Sequence, residues 1–464
     1  MTVQGRHQAG RTGGRAGSGE EVRQHMMLFT REELERECRP LSSRALEASR
    51  EGRLDQLRFL LGRMSSGHME LYLGYLHWIV RILGKIQCDL GDGFLEYLLA
   101  KVAEFLVAPY VAWALEGDEK RTISSLVSLW VSQAGRIEPI GETHNEVAFR
   151  ACPCGSGGRL ILESWYERDP TRYARTARGE PVFCRLCEHL QAALNRGVGH
   201  TFWSVVPEVS RTGFCRMSFL KQAQRGKRLY TEGESYRLTT PRCRQALRLL
   251  DRGVLEIEGL LEDQHHEWRP LHDFLCLWVA GMFSVVYREK GPACVGELVR
   301  ATYAPLFESA YVLHTLVDER TVFSDLVRNW YYHQASFEVV EEEDRFVFVL
   351  DPCGSGGRLW RGQMGPPGFF RYGEGLLCHI AETSEFTFQR APFPIYCTHC
   401  AVTNKEQLLG RPWTFLVDGS AMAEPSSPCK QYLYKKGAAR RAPESLLQQV
   451  GLDAARPLRK EYLL

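Results

Sequence analysis

The chain has 464 residues, of which 44% are hydrophobic and 25% charged, and its formal net charge is +2. Such a length supports two or three domains with cores of their own, and the near-neutral charge gives no bulk attraction toward nucleic acid or anionic membranes. No apolar run reaches the roughly 18 residues that span a bilayer, and the first residues lack the hydrophobic segment of a secretory signal. We therefore expect a cytoplasmic protein with neither nucleic acid nor membrane as a partner.

The N-terminal part begins with residues 1–25, which are rich in Gly, Arg and Gln and are expected to form a disordered leader. In the segment 26–53, Thr30 and Glu33 have the spacing of a capping box, which predicts an N-terminal helix. Further on, Leu95 to Leu115 is apolar with charged residues at helical spacing, which is typical of an amphipathic helix.

An internal duplication is indicated by two copies of Pro-Cys-Gly-Ser-Gly-Gly-Arg-Leu, at residues 153–160 and 352–359. Shorter matches flank both copies in the same order, for example Leu76-His77 with Leu271-His272. We therefore predict a tandem repeat with the following parts: repeat 1 at 54–220, a basic linker at 221–248, repeat 2 at 249–436 and a C-terminal tail at 437–464.

Each repeat is predicted to begin with helices and to end in a small antiparallel sheet. In repeat 2 we expect helices over about 270–290, 292–316 and 319–334, with Pro270 and Pro292 in first helical turns. Alternating strand-like runs follow, such as Phe337-Glu-Val-Val and Arg345-Phe-Val-Phe-Val-Leu. The predicted fold class is α+β, with each half a helical part followed by a sheet that carries a four-cysteine metal site.

Each half supplies four cysteines in the order single, pair, single: Cys154, Cys184, Cys187 and Cys215 in the first, Cys353, Cys397, Cys400 and Cys429 in the second. The Cys-x-x-Cys spacing lets both sulfurs reach one tetrahedral centre, and the glycines allow backbone N–H groups to face a thiolate. This predicts two Zn²⁺ ions per chain. Small buried thiols, a redox-active or disulfide set and an iron–sulfur cluster are the alternatives.

The second half carries titratable groups that the first half lacks at matching positions. Asp273 faces Trp78, His333 faces Gln133, Asp351 faces Cys152 and His399 faces Leu186 in the comparison of the two repeats. We interpret this difference as a reactive or binding pocket kept in the second half alone. The alternative is a solvated polar cluster around His265, His266 and Glu267 at a helix start.

The candidate catalytic residues are His272, Asp273, His333, His399 and Arg358. A histidine beside a carboxylate is a general base or a metal ligand, so His272 and Asp273 are interpreted as a base pair. His333 and His399 are expected to line the site. Arg358 follows the glycine loop and is expected either to clamp an anionic group of the substrate or to pair with an acid of the protein.

The second half, in Asp351-Pro-Cys-Gly-Ser-Gly-Gly-Arg-Leu359, Tyr396-Cys-Thr-His-Cys400 and Cys429-Lys-Gln-Tyr, resembles a bacterial family with this signature. More distantly it is similar to 4-vinyl-reductase-like domains and to the L-2-amino-thiazoline-4-carboxylate hydrolase family. The resemblance implies small-molecule binding with a cysteine-ligated metal and, in some members, hydrolysis.

Two functions are compatible with these patterns. The first is a zinc-binding enzyme of small-molecule, specialised bacterial metabolism with hydrolase- or lyase-type acid/base chemistry in the second repeat. The second is a non-catalytic zinc-stabilised protein that senses a ligand or binds a protein partner. The glycine loop is neither a P-loop nor a dinucleotide-binding motif, and no nucleophile elbow or His-Glu-x-x-His helix is present in the sequence.

Overall fold

The computed structural model describes residues 27–133, 135–169, 175, 181–207, 213–254, 256–306, 317–408, 415–422, 424–435 and 443–453. The leader predicted at 1–25 lies outside them. Within the described residues the protein combines helices with small antiparallel sheets, which confirms the α+β class.

Long helices form the centre of the protein and short ones flank them. Thr30 and Glu33 make the predicted capping box at the start of the first helix. The helices of the described residues have these bounds: α1 Arg31–Glu37, α2 Leu41–Arg50, α3 Leu54–Leu115, α4 Glu119–Ser132, α5 Gly157–Leu162, α6 Trp165–Arg168, α7 Val182–Val198, α8 Glu232–Thr239, α9 Arg242–Asp251, α10 Glu258–Lys290, α11 Pro292–Thr302, α12 Glu319–Tyr332, α13 Gly356–Trp360, α14 Thr398–Leu408 and α15 Glu444–Gln449.

Two four-stranded antiparallel sheets have the same strand order, β1-β2-β4-β3 in one and β5-β6-β10-β9 in the other, and a third sheet pairs β7 with β8. Phe346, Phe348 and Leu350 alternate with more exposed residues and face the core, as period-two patterning predicts. The strand bounds are β1 Ile137–Glu142, β2 Glu146–Ala151, β3 Trp203–Pro207, β4 Cys215–Leu220, β5 Phe337–Glu341, β6 Arg345–Leu350, β7 His379–Ile380, β8 Phe393–Pro394, β9 Phe415–Asp418 and β10 Cys429–Tyr434.

The helix expected to start near Pro270 starts earlier. Pro270 lies inside α10, which begins at Glu258, so the prediction that this proline occupies a first turn was wrong. His272 and Asp273 are consequently in the middle of a helix, where their orientation is fixed by packing on both sides. Pro292 does occupy the first turn of α11, and α12 begins at Glu319 as predicted.

Glycines with positive φ break the long helices at equivalent places in the two halves. Gly91 has φ 82° and ψ 166° within α3, and Gly291 has φ 84° and ψ 175° between α10 and α11. Counted back from these breaks, His272 corresponds to Tyr72. The sequence match of Leu76-His77 with Leu271-His272 was therefore in a different register from the one that the helices adopt.

Further parallels extend beyond the two predicted repeats. Glu341 accepts hydrogen bonds from the N–H groups of Leu28 and Phe29, and Glu142 does the same for Leu229 and Tyr230, at 2.5 and 3.1 Å in each case. A capping box follows both times, at the start of α1 and at the start of α8. The segment predicted as a linker thus has the same local structure as the N-terminal helix segment.

The long helices pack across the two halves. Trp78 of α3 contacts Tyr396, beside the second cysteine pair, with ring centroids 6.4 Å apart. Trp278 of α10 contacts Phe183, beside the first pair, at 5.0 Å. Each cysteine-bearing region is therefore completed by a helix from the other half of the chain.

Two of the described helices, α3 and α10, are long and apolar enough to meet length and hydropathy criteria for membrane spans. In α10 the most apolar window is 83% buried inside the protein, and in α3 44%. Core helices of soluble proteins meet the same two criteria. The cytoplasmic location stays a prediction.

Candidate functional site

A cavity of about 730 Å³ lies between α3, α12, the Cys353–Gly357 loop and the start of α14. The charged residues among those that line it are Arg63, Glu70, Asp325 and Arg328. Aromatic side chains make up much of its wall: Tyr75, Trp78, Tyr303, Trp330, Trp360 and Tyr396. Ligand pockets commonly have this size and this mostly apolar lining with a few polar groups.

The polar centre of the cavity is the hydroxyl of Ser355, which meets two imidazole rings. Ser355 Oγ is 2.9 Å from His333 Nδ1 and 3.2 Å from His272 Nε2, and the two ring nitrogens are themselves 3.2 Å apart. Ser355 and His333 line the cavity, whereas His272 lies behind them with no exposed surface. A ligand in the cavity therefore meets the hydroxyl and one imidazole, and the second imidazole supports both from behind.

An ion pair holds His272 in place. His272 Nδ1 is 3.3 Å from Asp273 Oδ1, and the same carboxylate binds Arg358 through Nη1 at 2.7 Å and Nη2 at 2.9 Å. The N–H of Gly365 donates a third hydrogen bond to it at 3.0 Å. Both side chains of the ion pair are only 4% exposed. Of the two roles expected for Arg358, the arrangement matches pairing with an acid of the protein.

The two histidines have opposite pKa shifts. Burial alone would lower the pKa of His272, but Cys276 and Asp273 outweigh it and raise the pKa to about 9. Burial lowers the pKa of His333 well below its usual value, and His272 and His399 lower it further. Burial raises the pKa of Asp273, but His272 and Arg358 outweigh burial and keep it below its usual value. At neutral pH His272 is thus a cation and His333 a neutral imidazole that can accept a proton.

A chain of hydroxyl and thiol groups continues from the histidines. The Tyr75 hydroxyl is 2.7 Å from the Tyr396 hydroxyl and 3.1 Å from Cys276 Sγ, and Cys276 Sγ is 3.6 Å from His272 Nε2. Ser355 lies close enough to Tyr75 to oppose the rise of its pKa. Burial raises the pKa values of Tyr75 and Tyr396, so both stay protonated and can donate.

His399 lines the same cavity but does not join the Ser355 cluster. Its Nδ1 lies 2.6 Å from the Tyr396 carbonyl oxygen, and its ring packs edge-on against Tyr303 and Tyr396 at 4.9 Å each. Burial lowers the pKa of His399 to about 4. It is therefore a neutral side chain of the wall at neutral pH.

The equivalent place in the first half is nearly filled. A cavity of only about 40 Å³ remains there, because mostly apolar side chains, with Gln133 as a polar exception, replace the polar and small residues of the large cavity. The replacements run as follows: Leu129 for Asn329, Gln133 for His333, Leu186 for His399, Phe274 for Gly74 and Leu275 for Tyr75.

The equivalent serine is also bonded differently. In the first half Ser156 Oγ lies 3.7 Å from Cys154 Sγ, and Tyr72 occupies the place of His272. Among the described residues, the contact of this serine hydroxyl with two imidazoles is found at Ser355 and not at Ser156.

The cysteines of each quartet are close neighbours. Cys154 and Cys215 hydrogen-bond each other, as do Cys353 and Cys429. The glycine loops make room for the paired cysteines, because a Cβ on Gly157 would lie 2.5 Å from Cys184 Sγ and one on Gly356 2.4 Å from Cys397 Sγ.

One cysteine of each quartet has a lowered pKa, which favours its thiolate form. The hydrogen bond with Cys215 lowers the pKa of Cys154 to about 6 despite burial, and the Gly158 N–H adds to this from 3.0 Å. The hydrogen bond with Cys429 lowers the pKa of Cys353 to about 6 in the same way. Thiolate is the form that binds metals.

In the part of the chain that the structure describes, no three His, Cys, Asp or Glu side chains are grouped as a metal-binding set. The contacts within the quartets are pairwise, and zinc stays a prediction.

No family model matches the chain, and no curated protein or solved structure matches it either. Function therefore has to be inferred from the site itself.

Of the sequence candidates, His272, Asp273, His333 and Arg358 are brought together, and His399 lies elsewhere in the same cavity. Asp351 is exposed and pairs with Arg361 outside the cavity. His266 is exposed on α10, and the side chain of His265 lies outside the described residues.

Sequence reasoning missed Ser355, Tyr75 and Cys276. A serine is present in both copies of the loop, as Ser156 and Ser355, so the contrast between the halves gives no signal for it. Tyr75 belongs to the other half of the chain, so no local pattern connects it to the second cysteine loop.

Proposed function

We propose that the protein is a zinc-binding enzyme of small-molecule, specialised metabolism whose active site is the large cavity of the second half. Its chemistry is acid/base catalysis of hydrolase or lyase type. The observation that carries the proposal is the meeting of two imidazoles at the Ser355 hydroxyl in an open cavity, while the equivalent first-half site is filled.

The residues supply a proton acceptor on the cavity wall and a cationic imidazole buried behind it. His333, neutral and facing the cavity, accepts a proton from substrate or from Ser355. His272 is held as a cation by Asp273, and Arg358 keeps that carboxylate charged and oriented. Neighbouring groups whose pKa values are shifted apart in this way are typical of acid/base sites.

We propose that each cysteine quartet binds one Zn²⁺, which gives two per chain. The donor set supports this, because each quartet places thiols in pairwise contact beside a glycine loop, loop N–H groups hydrogen-bond Cys154 and Cys353, and the pKa of each of these two cysteines is lowered to about 6. A zinc ion with four thiolates is coordinatively closed, so its contribution is to hold the loop that carries Ser355.

The architecture is best explained as a tandem duplication, which we propose covers about residues 28–435. The support is the equal strand order of the two sheets, the equivalent helix breaks and the repeated glutamate clamps. The family resemblance of the second half, with its small-molecule and hydrolytic members, agrees with the proposed activity.

Filling the cavity tests the proposal without touching the histidines. Gly74 lines the cavity in α3, and a Cβ there meets nothing within 4 Å. Gly74→Phe introduces the residue that fills the equivalent first-half place. We expect it to abolish hydrolysis of 1-naphthyl and p-nitrophenyl esters and amides. Gly62→Phe, in the same helix with equally open surroundings, is the matched control and should retain the wild-type rate.

The outcomes separate the candidate functions. Equal rates for both variants would show that any turnover occurs outside the cavity and would overturn the proposal. Saturable binding of the naphthyl esters without turnover would instead favour the non-catalytic ligand-sensing protein.

Metal analysis of reduced, purified protein should give two zinc per chain, with one lost in Cys353→Ser and the other in Cys154→Ser. Absence of zinc in the purified protein would end the zinc proposal.

A further inference from the structure

We infer that Ser355 is a covalent nucleophile and that the substrate is an ester, thioester or amide with an apolar or aromatic acyl group. The inference rests on the proposed function and makes it more specific. It assigns the hydrolase alternative and names the atom that attacks.

The position of Ser355 meets the geometric requirement for a nucleophile. Its hydroxyl is within hydrogen-bonding distance of His333 Nδ1, and behind it follow His272, Asp273 and Arg358 in an unbroken series of contacts. A hydroxyl with a base in contact, and a base oriented by further groups, is the general arrangement of activated nucleophiles. Only Ser355 and His333 of this series reach the cavity.

The equivalent serine of the first half, Ser156, has different contacts. There Ser156 Oγ faces Cys154 Sγ at 3.7 Å and serves the cysteine quartet. In the second half the hydroxyl contacts the two histidines instead, and the N–H groups of the loop remain for Cys353. The hydroxyl of Ser355 thus contacts histidines where that of Ser156 contacts a cysteine. A role of Ser355 as a nucleophile explains this difference.

The reaction proceeds in two balanced steps. Ser355 Oγ attacks the acyl carbon and its proton passes to His333 Nδ1; the bond to the leaving group then breaks, and the leaving heteroatom takes the electron pair and that proton. Water next attacks the acyl-serine, gives its proton to His333, and the acyl–Oγ bond breaks to release a carboxylic acid. Ser355 Oγ recovers the proton from His333, so the enzyme is regenerated and water is the only co-reactant.

The negative charge on the carbonyl oxygen needs donors beside Ser355. Tyr75 is suitable, because it lies on the cavity wall close to Ser355. A phenol hydroxyl aimed at the developing oxyanion contributes through electrostatic stabilisation. The first half has Leu275 at this place, and a different tyrosine, Tyr72, lies beside Ser156 there.

The substrate class follows from the rest of the wall. Trp78, Tyr303 and Trp330 line the cavity together with the Ser355 cluster. An aromatic or aliphatic acyl chain would be desolvated against these rings.

Covalent trapping tests the inference on the whole protein. The reagents are phenylmethylsulfonyl fluoride and a fluorophosphonate, read out by intact mass and by mapping the labelled peptide. We expect one label, on Ser355, with loss of ester hydrolysis. Ser355→Ala should remove both label and activity, and Ser156→Ala, the matched change in the first half, should keep both. His333→Gln, which introduces the first-half residue, should slow labelling by about 100-fold or more, as expected for loss of a general base.

The possible results distinguish this inference from the proposed function. Ester hydrolysis that persists in Ser355→Ala, with zinc content and folding unchanged, would refute the role of Ser355 as the nucleophile. It would leave the proposal that the protein is an enzyme intact. Labelling on another residue, or none, would refute it as well. A third metal per chain that disappears in His272→Gln would show that the histidines bind a metal and would also overturn it. Ser355 labelling without turnover of any ester or amide would support the nucleophile but contradict the proposed activity.

Discussion

Substitution of either member of the buried ion pair between Arg358 and Asp273 should strongly lower the stability of the second half. Both side chains are 4% exposed, and the carboxylate receives two hydrogen bonds from the guanidinium group at 2.7 and 2.9 Å. Arg358→Met removes both and leaves a buried carboxylate with the Gly365 N–H and His272 as partners. We expect the free energy of unfolding to fall by about 3–5 kcal/mol, the range measured when one member of a buried pair is removed.

The first half offers a matched control for this change. Arg159 is the equivalent arginine; its side chain is 20% exposed, and its Nη1 lies 3.9 Å from Glu163, which is 42% exposed, and 3.1 Å from Met69 Sδ. Because the Glu163 carboxylate stays hydrated when the arginine is removed, Arg159→Met should destabilise the protein less than Arg358→Met.

Urea unfolding followed by tryptophan fluorescence measures both variants, and the double variant Asp273→Asn/Arg358→Met tests the coupling. Because Asn carries no charge and still accepts from Gly365, the double variant should be more stable than Arg358→Met alone. The stability that comes from the lowered pKa of Asp273 is present above its unfolded value of 3.8 and is lost as the pH falls through the lower folded-state value. The difference in the free energy of unfolding between wild type and Arg358→Met should therefore be smaller at about pH 3 than at about pH 7. Equal losses in Arg358→Met and Arg159→Met would refute the reasoning.

Three further predictions concern stability elsewhere. Burial lowers the pKa of His77 to about 4, so its contribution is complete above pH 6.5 and is lost as the pH falls toward 4; His77→Phe, which keeps the ring contact with Trp165, should show a shallower loss in acid unfolding. Pro270→Ala should raise the melting temperature because Pro270 interrupts a helix interior, and Pro292→Ala in a first turn should leave it unchanged. Glu341→Gln should speed tryptic cleavage within residues 31–50, because the carboxylate that holds Leu28 and Phe29 and pairs with Lys435 is lost; unchanged cleavage would contradict this.

Local sequence patterns were sufficient to predict several helix starts and strands. The capping box at Thr30, the first-turn proline of α11 and the alternating strands β5 and β6 were predicted and are present. Local hydrogen bonding and side-chain alternation decide such features within a few residues. The start of α10 was missed, because a helix that is packed on both sides can continue through a proline that the local rule places at its end.

The sequence by itself determined the residue types of the site: the contrast between the two halves indicated Asp273, His333 and His399, while His272 stood out as the neighbour of Asp273 and Arg358 as the arginine after the glycine loop. The tertiary structure alone decided their arrangement, since α3 and α10 each complete the cysteine region of the opposite half. That exchange brings Tyr75 to Ser355 and sets the register in which His272 replaces Tyr72. Packing between residues far apart in the chain fixes such a register, and no short-range pattern contains it.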